Sequence, residues 1–159
     1  MNLKSEFLDA MSKLISSVHI VTTDGSFGKA GATVSSVTSV SVDSNSPIIL
    51  CCLHKDSTAA PLIIKNECFC INTLKNNQKE VADVFSTRVS DNTDSKFQVS
   101  IFESLTTGAP VLSDCLISLD CRLLSSELIG THHVLIGEVQ NLKTQPGLPL
   151  LYGNRGYVS

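Results

Sequence analysis

Three stretches of this chain combine residue types and spacings that could do chemistry. The first is Gly31-Ala32-Thr33-Val34-Ser35-Ser36, with Ser39 and Ser41 beyond it. A glycine followed by hydroxyl residues at a strand end lets backbone N–H groups approach a flat polar ligand while the hydroxyls bond its edge. A hydroxyl-rich stretch also arises in an ordinary polar strand, so the pattern alone leaves both readings open. The second is His54-Lys55-Asp56-Ser57-Thr58, between an apolar segment and a short helical one. A strand running into a helix N-terminus with Ser or Thr caps and a lysine suits an anion such as a phosphate. The same residues serve equally as a helix cap beside a solvated lysine. The third is Thr131-His132-His133. A histidine at a strand start can donate to a ligand or shuttle a proton. Adjacent strand residues point to opposite faces, so these two histidines cannot ligate one ion, and no metal site is expected.

Other chemistry is poorly represented. The six cysteines stand as Cys51-Cys52, Cys68 with Cys70, and Cys115 with Cys121, and none forms a C-x-x-C pair. They read as small buried hydrophobes in strands. No phosphate-binding P-loop, nucleophile elbow or zinc-protease signature is present. Carboxylates are scattered, with no acid/base couple among them. Twelve basic against fifteen acidic side chains, net −3 and without a basic block, exclude a nucleic-acid-binding surface. The longest apolar run, Ile48 to Leu53, is far too short to span a membrane. The first residues, MNLKSEFLDAMSKLISS, carry charges through their apolar face and do not read as a signal peptide. The expectation is a cytoplasmic protein with reduced thiols. A chain of 159 residues suits one domain, 1–159, and is too short for a separate dinucleotide fold beside a second domain. Any redox chemistry must therefore use one shared site.

The elements that position these stretches follow from periodicity. Leu3, Phe7, Leu8, Met11, Leu14 and Ile15 fall at helical spacing, which predicts an amphipathic helix over 3–16. Val18–Thr23 reads as a strand, Asp24-Gly25 to Gly28 as a hairpin turn, and Lys29–Ser35 as the returning strand. Ser36–Val42 alternates apolar and hydroxyl residues, and Asn45-Ser46-Pro47 breaks the chain before a buried strand at Ile48–Leu53. A short helix over Thr58–Lys65, a strand over Cys68–Leu74 and a helix over Asn77–Phe85 follow. Thr87–Ser95 reads as a polar loop and Gly108-Ala109-Pro110 as a turn. Two long strands, Cys115–Glu127 and His132–Leu142, flank Gly130, and Leu148–Val158 closes the chain. Six or more strands with short helices and one core predict an antiparallel barrel. A mean hydropathy of +0.18 in so small a chain predicts a covered apolar face, most simply in a homodimer.

The order and spacing of several segments resemble the short-chain flavin reductases. They are Val21-Thr22-Thr23-Asp24-Gly25, Gly31-x-Thr33-x-Ser35-Ser36-x-x-Ser39-Val40, Ser46-Pro47, Cys52-Leu53-x-Lys55-x-Ser57, Phe69-x-Ile71-Asn72-x-Leu74, Gly130-Thr131-His132, Gly137-Glu138-Val139 and Pro149-Leu150-Leu151-Tyr152. The likeness runs from Phe7-x-x-Ala10-Met11 to Tyr157. Within the family, Ala10-Met11, Cys70-Ile71-Asn72 and Ile129-Gly130-Thr131-His132 are most similar to the reductase components of 4-hydroxyphenylacetate 3-monooxygenase.

The resemblance implies a mainly β, Greek-key FMN-binding split barrel with peripheral short helices, assembled as a homodimer. It implies an enzyme that passes hydride from NADH or NADPH to FMN or FAD. The reduced flavin would then diffuse to a separate monooxygenase, with aromatic hydroxylation as the expected setting. The alternative is a flavin-binding or electron-carrying barrel without turnover. Carried over by position, Thr33, Val34, Ser35 and Ser36 would lie along the isoalloxazine, with Ser39 nearby. Leu53, His54, Lys55 and Ser57 would hold the ribityl chain and phosphate. Asn72 would bond the flavin or brace that loop, and Phe85 and Ser86 would border the site. His132 would face the nicotinamide as the catalytic residue, and Tyr157 would line the dinucleotide cleft. The chain departs from the pattern at Ala59, where many relatives carry Thr, and at Thr131, where many carry Asp.

Overall fold

The computed structural model describes residues 2–43, 45–87 and 93–158. In chain order its elements are α1 (Leu3–Ser12), β1 (Ser16–Ser17), β2 (His19–Thr23), β3 (Ala30–Val34), β4 (Val37–Ser41), β5 (Ile48–His54), α2 (Ala59–Asn66), β6 (Cys68–Thr73), α3 (Lys79–Ser86) and α4 (Thr93–Lys96). A 3₁₀ turn (Phe97–Val99), β7 (Phe102–Ser104), β8 (Pro110–Leu112), β9 (Ile117–Ile129), β10 (His132–Thr144), β11 (Leu151–Gly153) and β12 (Gly156–Val158) complete it. Of the polar stretch 87–95, residues 88–92 lie outside the described residues.

Seven strands form one antiparallel sheet in the order β3-β2-β6-β9-β10-β5-β4. Its two edge strands, β3 and β4, are consecutive in the chain and joined only by Ser35 and Ser36. Laid flat, seven strands would put those edges roughly 29 Å apart at about 4.8 Å per neighbour. Three extended residue steps from Val34 to Val37 reach at most about 11 Å. The sheet must therefore curl until its edges meet. On the β4 side the link extends the β4–β5 ladder by one residue, where Cys52 N donates to Ser36 O at 3.1 Å. The mainly β antiparallel barrel with short helices is thus the observed fold.

Strand β5 alternates inward Ile49, Cys51 and Leu53 with half-buried neighbours, the period of two that a strand imposes. Inside the barrel these pack with Val21, Phe69, Ile71, Cys121 and Leu135, and α2 closes the interior with Ala59, Ala60 and Ile63. Every residue of β2 and β6 is buried, because a second cluster covers their outer face with Leu74, Val81, Ala82, Phe85, Phe97 and Leu112. The cysteines behave as the sequence suggests. All six are unpaired and five are buried, and burial pushes the Cys51 thiol up to about 12.

Three departures from the sequence reading have physical reasons. Helix α1 starts as expected, with Asn2 Oδ1 accepting from Ser5 N at 2.9 Å. It stops at Ser12 rather than residue 16, because Ser16 and Ser17 pair with Tyr152 and Leu151 of β11. None of its residues is buried. The β7–β8 hairpin was not foreseen, since three-residue strands carry too little periodicity to register. Asn72, expected to bond the flavin or brace the loop after β5, is fully buried away from both. Its amide oxygen accepts from Leu112 N at 2.8 Å and Ser118 Oγ at 3.3 Å, and its amide nitrogen donates to Thr22 Oγ1 at 3.2 Å. It ties β8 and β9 to β2, because a buried amide must find partners. No helix among the described residues is long and apolar enough to cross a membrane.

Two outcomes follow from this packing. A Cβ on Gly137 would lie 2.5 Å from Phe69 Cζ, so Gly137→Ala should cost about 1–3 kcal/mol in urea unfolding with an unchanged m-value. His19 is buried on β2 beside Thr73 Oγ1 at 2.9 Å, and burial lowers its pKa from 6.5 to about 4. Between these values the unfolded chain binds the proton that the folded one refuses, so stability rises with pH across that window. The contribution, at most about 3 kcal/mol, is complete above pH 6.5 and disappears as pH falls toward about 4. In His19→Gln, unfolding monitored across that range should lose this component of its pH dependence.

Candidate functional site

Where the curled sheet's edges meet, a cavity of about 390 Å³ opens between them. One wall is β3 and its link, Thr33, Val34, Ser35 and Ser36. The opposite wall is the end of β5 and the turn into α2, with Cys52, Leu53, His54, Asp56, Ser57 and Thr58. The end of α3 supplies Phe85, Ser86 and Thr87, while Lys96 enters from α4 and His132 from β10. Stretches distant in the chain converge because β3 and β5 face each other across the split, and β10 lies beside β5 with His132 directly opposite His54.

Local hydrogen bonds set these walls. Thr33 Oγ1 donates to Ala82 O at 2.7 Å, anchoring β3 to α3. Ser57 Oγ accepts from Ala60 N at 3.1 Å and caps the first turn of α2, leaving its own O–H available to a ligand. The backbone N–H of Asp56 donates to His54 Nδ1 at 3.1 Å, which puts the proton of the neutral ring on Nε2. His54 and His132 meet in a T-shaped contact, 5.1 Å between ring centroids. Thr131 Oγ1 bonds His132 Nδ1 at 3.0 Å, and Lys55 N donates to Thr131 O at 2.9 Å, so the two turns brace one another. Phe85 forms part of the floor. A Cβ on Gly31 would fall 2.6 Å from its ring, so this glycine serves the close approach of α3 to β3 rather than that of a ligand.

Four of the expected residues do not line this cavity. Ser39 sits exposed on β4 opposite Ile49, and Lys55 is exposed beside the cavity rather than lining it. Asn72 is in the core, as described. Tyr157 lines a neighbouring cavity of about 690 Å³ that shares Thr33, Val34, Ser35 and Ser86 with the first. There its hydroxyl donates to Asp83 Oδ1 at 2.6 Å, Tyr152 packs edge-on at 5.6 Å, and Lys79 Nζ lies 5.0 Å over its ring. Burial, then the Asp83 bond and charge, raise the Tyr157 pKa to about 12 and keep it a hydrogen-bond donor.

Lys96 is a cavity residue that sequence reasoning missed, as are Cys52 and Thr87. It falls at the end of a polar run with no periodicity, and its only local signal is the aromatic residue that follows it, Phe97. Phe97 is buried, packing edge-on against Phe85 at 5.2 Å. That packing draws Lys96 to the cavity, where it is 6% exposed. Together the cavity presents hydroxyls, two imidazoles, an ammonium and an aromatic floor. That set suits a flat, partly apolar ligand with an anionic group.

Comparison with known proteins places this architecture. The family described as flavin reductase like domain matches residues 11–159. A protein named FMN reductase (NADH) RutF 2, from Methylorubrum extorquens (strain PA1), is 42% identical over 154 residues, covering 96% of this chain and 87% of its own. The crystal structure of a proposed flavin reductase from Haemophilus somnus 129PT has a TM-score of 0.89 at 36% identity, covering 99% of both chains. The styrene monooxygenase flavin reductase of Pseudomonas putida S12 has a TM-score of 0.82 at 25% identity, covering 96% of this chain and 95% of its own. With its split-sheet cavity and a match over nearly all of its length, the chain belongs to the flavin reductase family.

Proposed function

We propose that this protein is an NADH-dependent flavin reductase with FMN as its acceptor, supplying reduced flavin to a separate monooxygenase. The observation that carries the reading is the cavity at the split. It gathers the hydroxyl strand end, the strand-to-helix turn and His132 into one place, in a chain of the flavin reductase family. The relative named FMN reductase (NADH) supports the choice of donor and acceptor. The relative named as a styrene monooxygenase flavin reductase supports the oxygenase partner.

The chemistry supplied by the bound flavin is acceptance of a hydride from the nicotinamide, so that NADH, FMN and one proton become NAD⁺ and reduced FMN. The chain's own residues bind and orient. Thr33 to Ser36 and Phe85 would hold the ring, since they line the same cavity. Leu53, His54 and Ser57, with the first turn of α2, face the ribityl chain and phosphate. His132, held by Thr131 and packed on His54, borders the nicotinamide side. The adjoining cavity at Tyr157 leaves room for the rest of the dinucleotide, so donor and acceptor meet without a second domain. Lys55 and Ser39 lie outside this arrangement and contribute at most through solvent-exposed contacts.

The protein is also proposed to be a homodimer. Helix α1 exposes Leu3, Phe7, Leu8 and Met11, and Leu14 and Ile15 beyond it are 59% and 60% exposed. A contiguous apolar face of this kind is expected to be covered, and a second copy of the chain fits the expectation from composition.

Steady-state loss of NADH absorbance with FMN, FAD or riboflavin tests the function. Rapid loss only with added flavin, fastest with FMN, is expected; a yellow protein inert to NADH would leave a flavin carrier instead. His132→Ala should lower kcat/KM for NADH by about 10- to 100-fold with FMN affinity little changed, and unchanged turnover would remove it from the site. In sedimentation the protein should run as a dimer, and Phe7→Glu combined with Met11→Glu should give monomers.

A further inference from the structure

The chain has four histidines, and folding pairs two of them. His19 is buried and bonded to Thr73 Oγ1. His133 follows His132 on β10 and so points to the opposite face of the sheet. His54 and His132 are Cα partners on β5 and β10. On the adjoining rung Lys55 N donates to Thr131 O, and hydrogen-bonded and non-hydrogen-bonded rungs alternate along an antiparallel ladder. The two histidines therefore occupy a non-hydrogen-bonded rung, where facing side chains stand closest. Their ring centroids are 5.1 Å apart and their planes meet at 78°. Two imidazoles sharing one ion, with metal–nitrogen bonds of about 2.0–2.1 Å at tetrahedral angles, place their centroids about 5 Å apart. The hydrogen bonds agree with that reading. His132 Nδ1 bonds Thr131 Oγ1 at 3.0 Å, and His54 Nδ1 accepts from Asp56 N at 3.1 Å. Each ring is thus held through Nδ1, and among the described residues neither Nε2 has a protein partner. Simple edge-to-face packing explains the ring distance but not this division of the nitrogens.

We propose that His54 and His132 form a two-imidazole site for a divalent transition-metal ion such as Zn²⁺ in the wall of the first cavity. Imidazole ligands suit zinc, copper and nickel rather than magnesium or calcium. Among the described residues no group of three or more His, Cys, Asp or Glu side chains could hold an ion. Water therefore fills the remaining positions, and the ion exchanges freely instead of supporting the fold. Second partners for both ligands are in place. His132 holds its proton on Nδ1 and donates it to Thr131 Oγ1. On His54 the proton moves from Nε2 to Nδ1, which turns from the Asp56 N–H to the Asp56 carboxylate, whose Oδ2 lies 3.7 Å away. That rearrangement neither gains nor releases a proton. Binding of the ion stands on this geometry alone. Its consequence rests on the flavin reductase reading: both rings line the cavity where flavin and nicotinamide are proposed to meet, so an ion bridging them inhibits NADH oxidation reversibly.

The test begins with binding. Zn²⁺, which has no redox chemistry of its own, is titrated into the untagged full-length protein without flavin, in competition with a chromophoric chelator. Wild type should bind one ion per chain. His54→Gln and His132→Gln should each weaken binding by about tenfold or more, whereas His133→Gln and Cys52→Ser should bind as wild type does. Unchanged affinity in either of the first two variants would overturn the proposal. So would loss of binding in Cys52→Ser, which would give the ion to the half-buried thiol on the same wall. Thermal unfolding reports the folding of each variant. If a histidine variant does not fold, the wild type decides: Zn²⁺ should shield His54 and His132 from diethyl pyrocarbonate, read by mass spectrometry, and unshielded modification of both counts against. Turnover is then followed with riboflavin, which carries no phosphate to chelate the ion. Zn²⁺ should slow NADH loss, a chelator should restore it, and His133→Gln should stay sensitive. A protein that binds Zn²⁺ at this pair but does not oxidise NADH would sink the reductase reading and leave the metal site standing. Turnover in a protein that binds no Zn²⁺ would do the reverse.

Discussion

The rest of the structure depends on a short tether. Ser35 and Ser36 join the two edge strands of a seven-stranded antiparallel sheet, and two residues cannot bridge the width of a flat sheet. Curling the sheet brings β3 against β5 without a continuous ladder between β3 and β4. The place where ladder hydrogen bonding lapses is where backbone and hydroxyl groups become available to a ligand. The cavity is therefore a consequence of closure, and its wall includes the tether itself.

Close approach then decides which side chains line that cavity. Gly31 lets the Phe85 ring lie against β3, and Gly137 lets Phe69 fill the barrel interior. Phe85, Phe97 and Phe102 form a small aromatic group, with Phe97 and Phe102 centroids 5.0 Å apart. That group holds the end of α3 and the segment carrying Lys96 over the split. Asn72 performs a related service on the far side, where one buried amide satisfies donors and acceptors from β2, β8 and β9 at once. Such an amide specifies one packing of those strands, because any other leaves it unsatisfied.

Much of the fold was legible because strands and helices announce themselves by period. Cys68–Thr73, Ile48–His54 and the long β9–β10 pair match their sequence readings to within two residues at each end. What escaped had no local period to read. The β7–β8 hairpin is too short, and α1 ends early because Ser16 and Ser17 are claimed by β11, a partner far along the chain. The candidate site divides similarly. The stretches around Thr33 and Ser57, together with His132, converge as the resemblance implied. Asn72 carried the right residue type for a ligand contact, yet its strand is covered on both faces. Lys96 carried no distinguishing pattern at all.

By itself, the sequence determined the antiparallel strand content, the short helices, the packing role of the cysteines, and the family through the order of its motifs. These follow from period, residue volume and spacing, which are properties of neighbours in the chain. The tertiary structure alone decided which of those residues meet. Long-range register set His132 opposite His54, sheet curvature opened the cavity, and the burial of Phe97 drew Lys96 from a polar run into its wall. Desolvation depends on what surrounds a group in space, so the burial of Lys96 could be recognised only after the chain had folded around it.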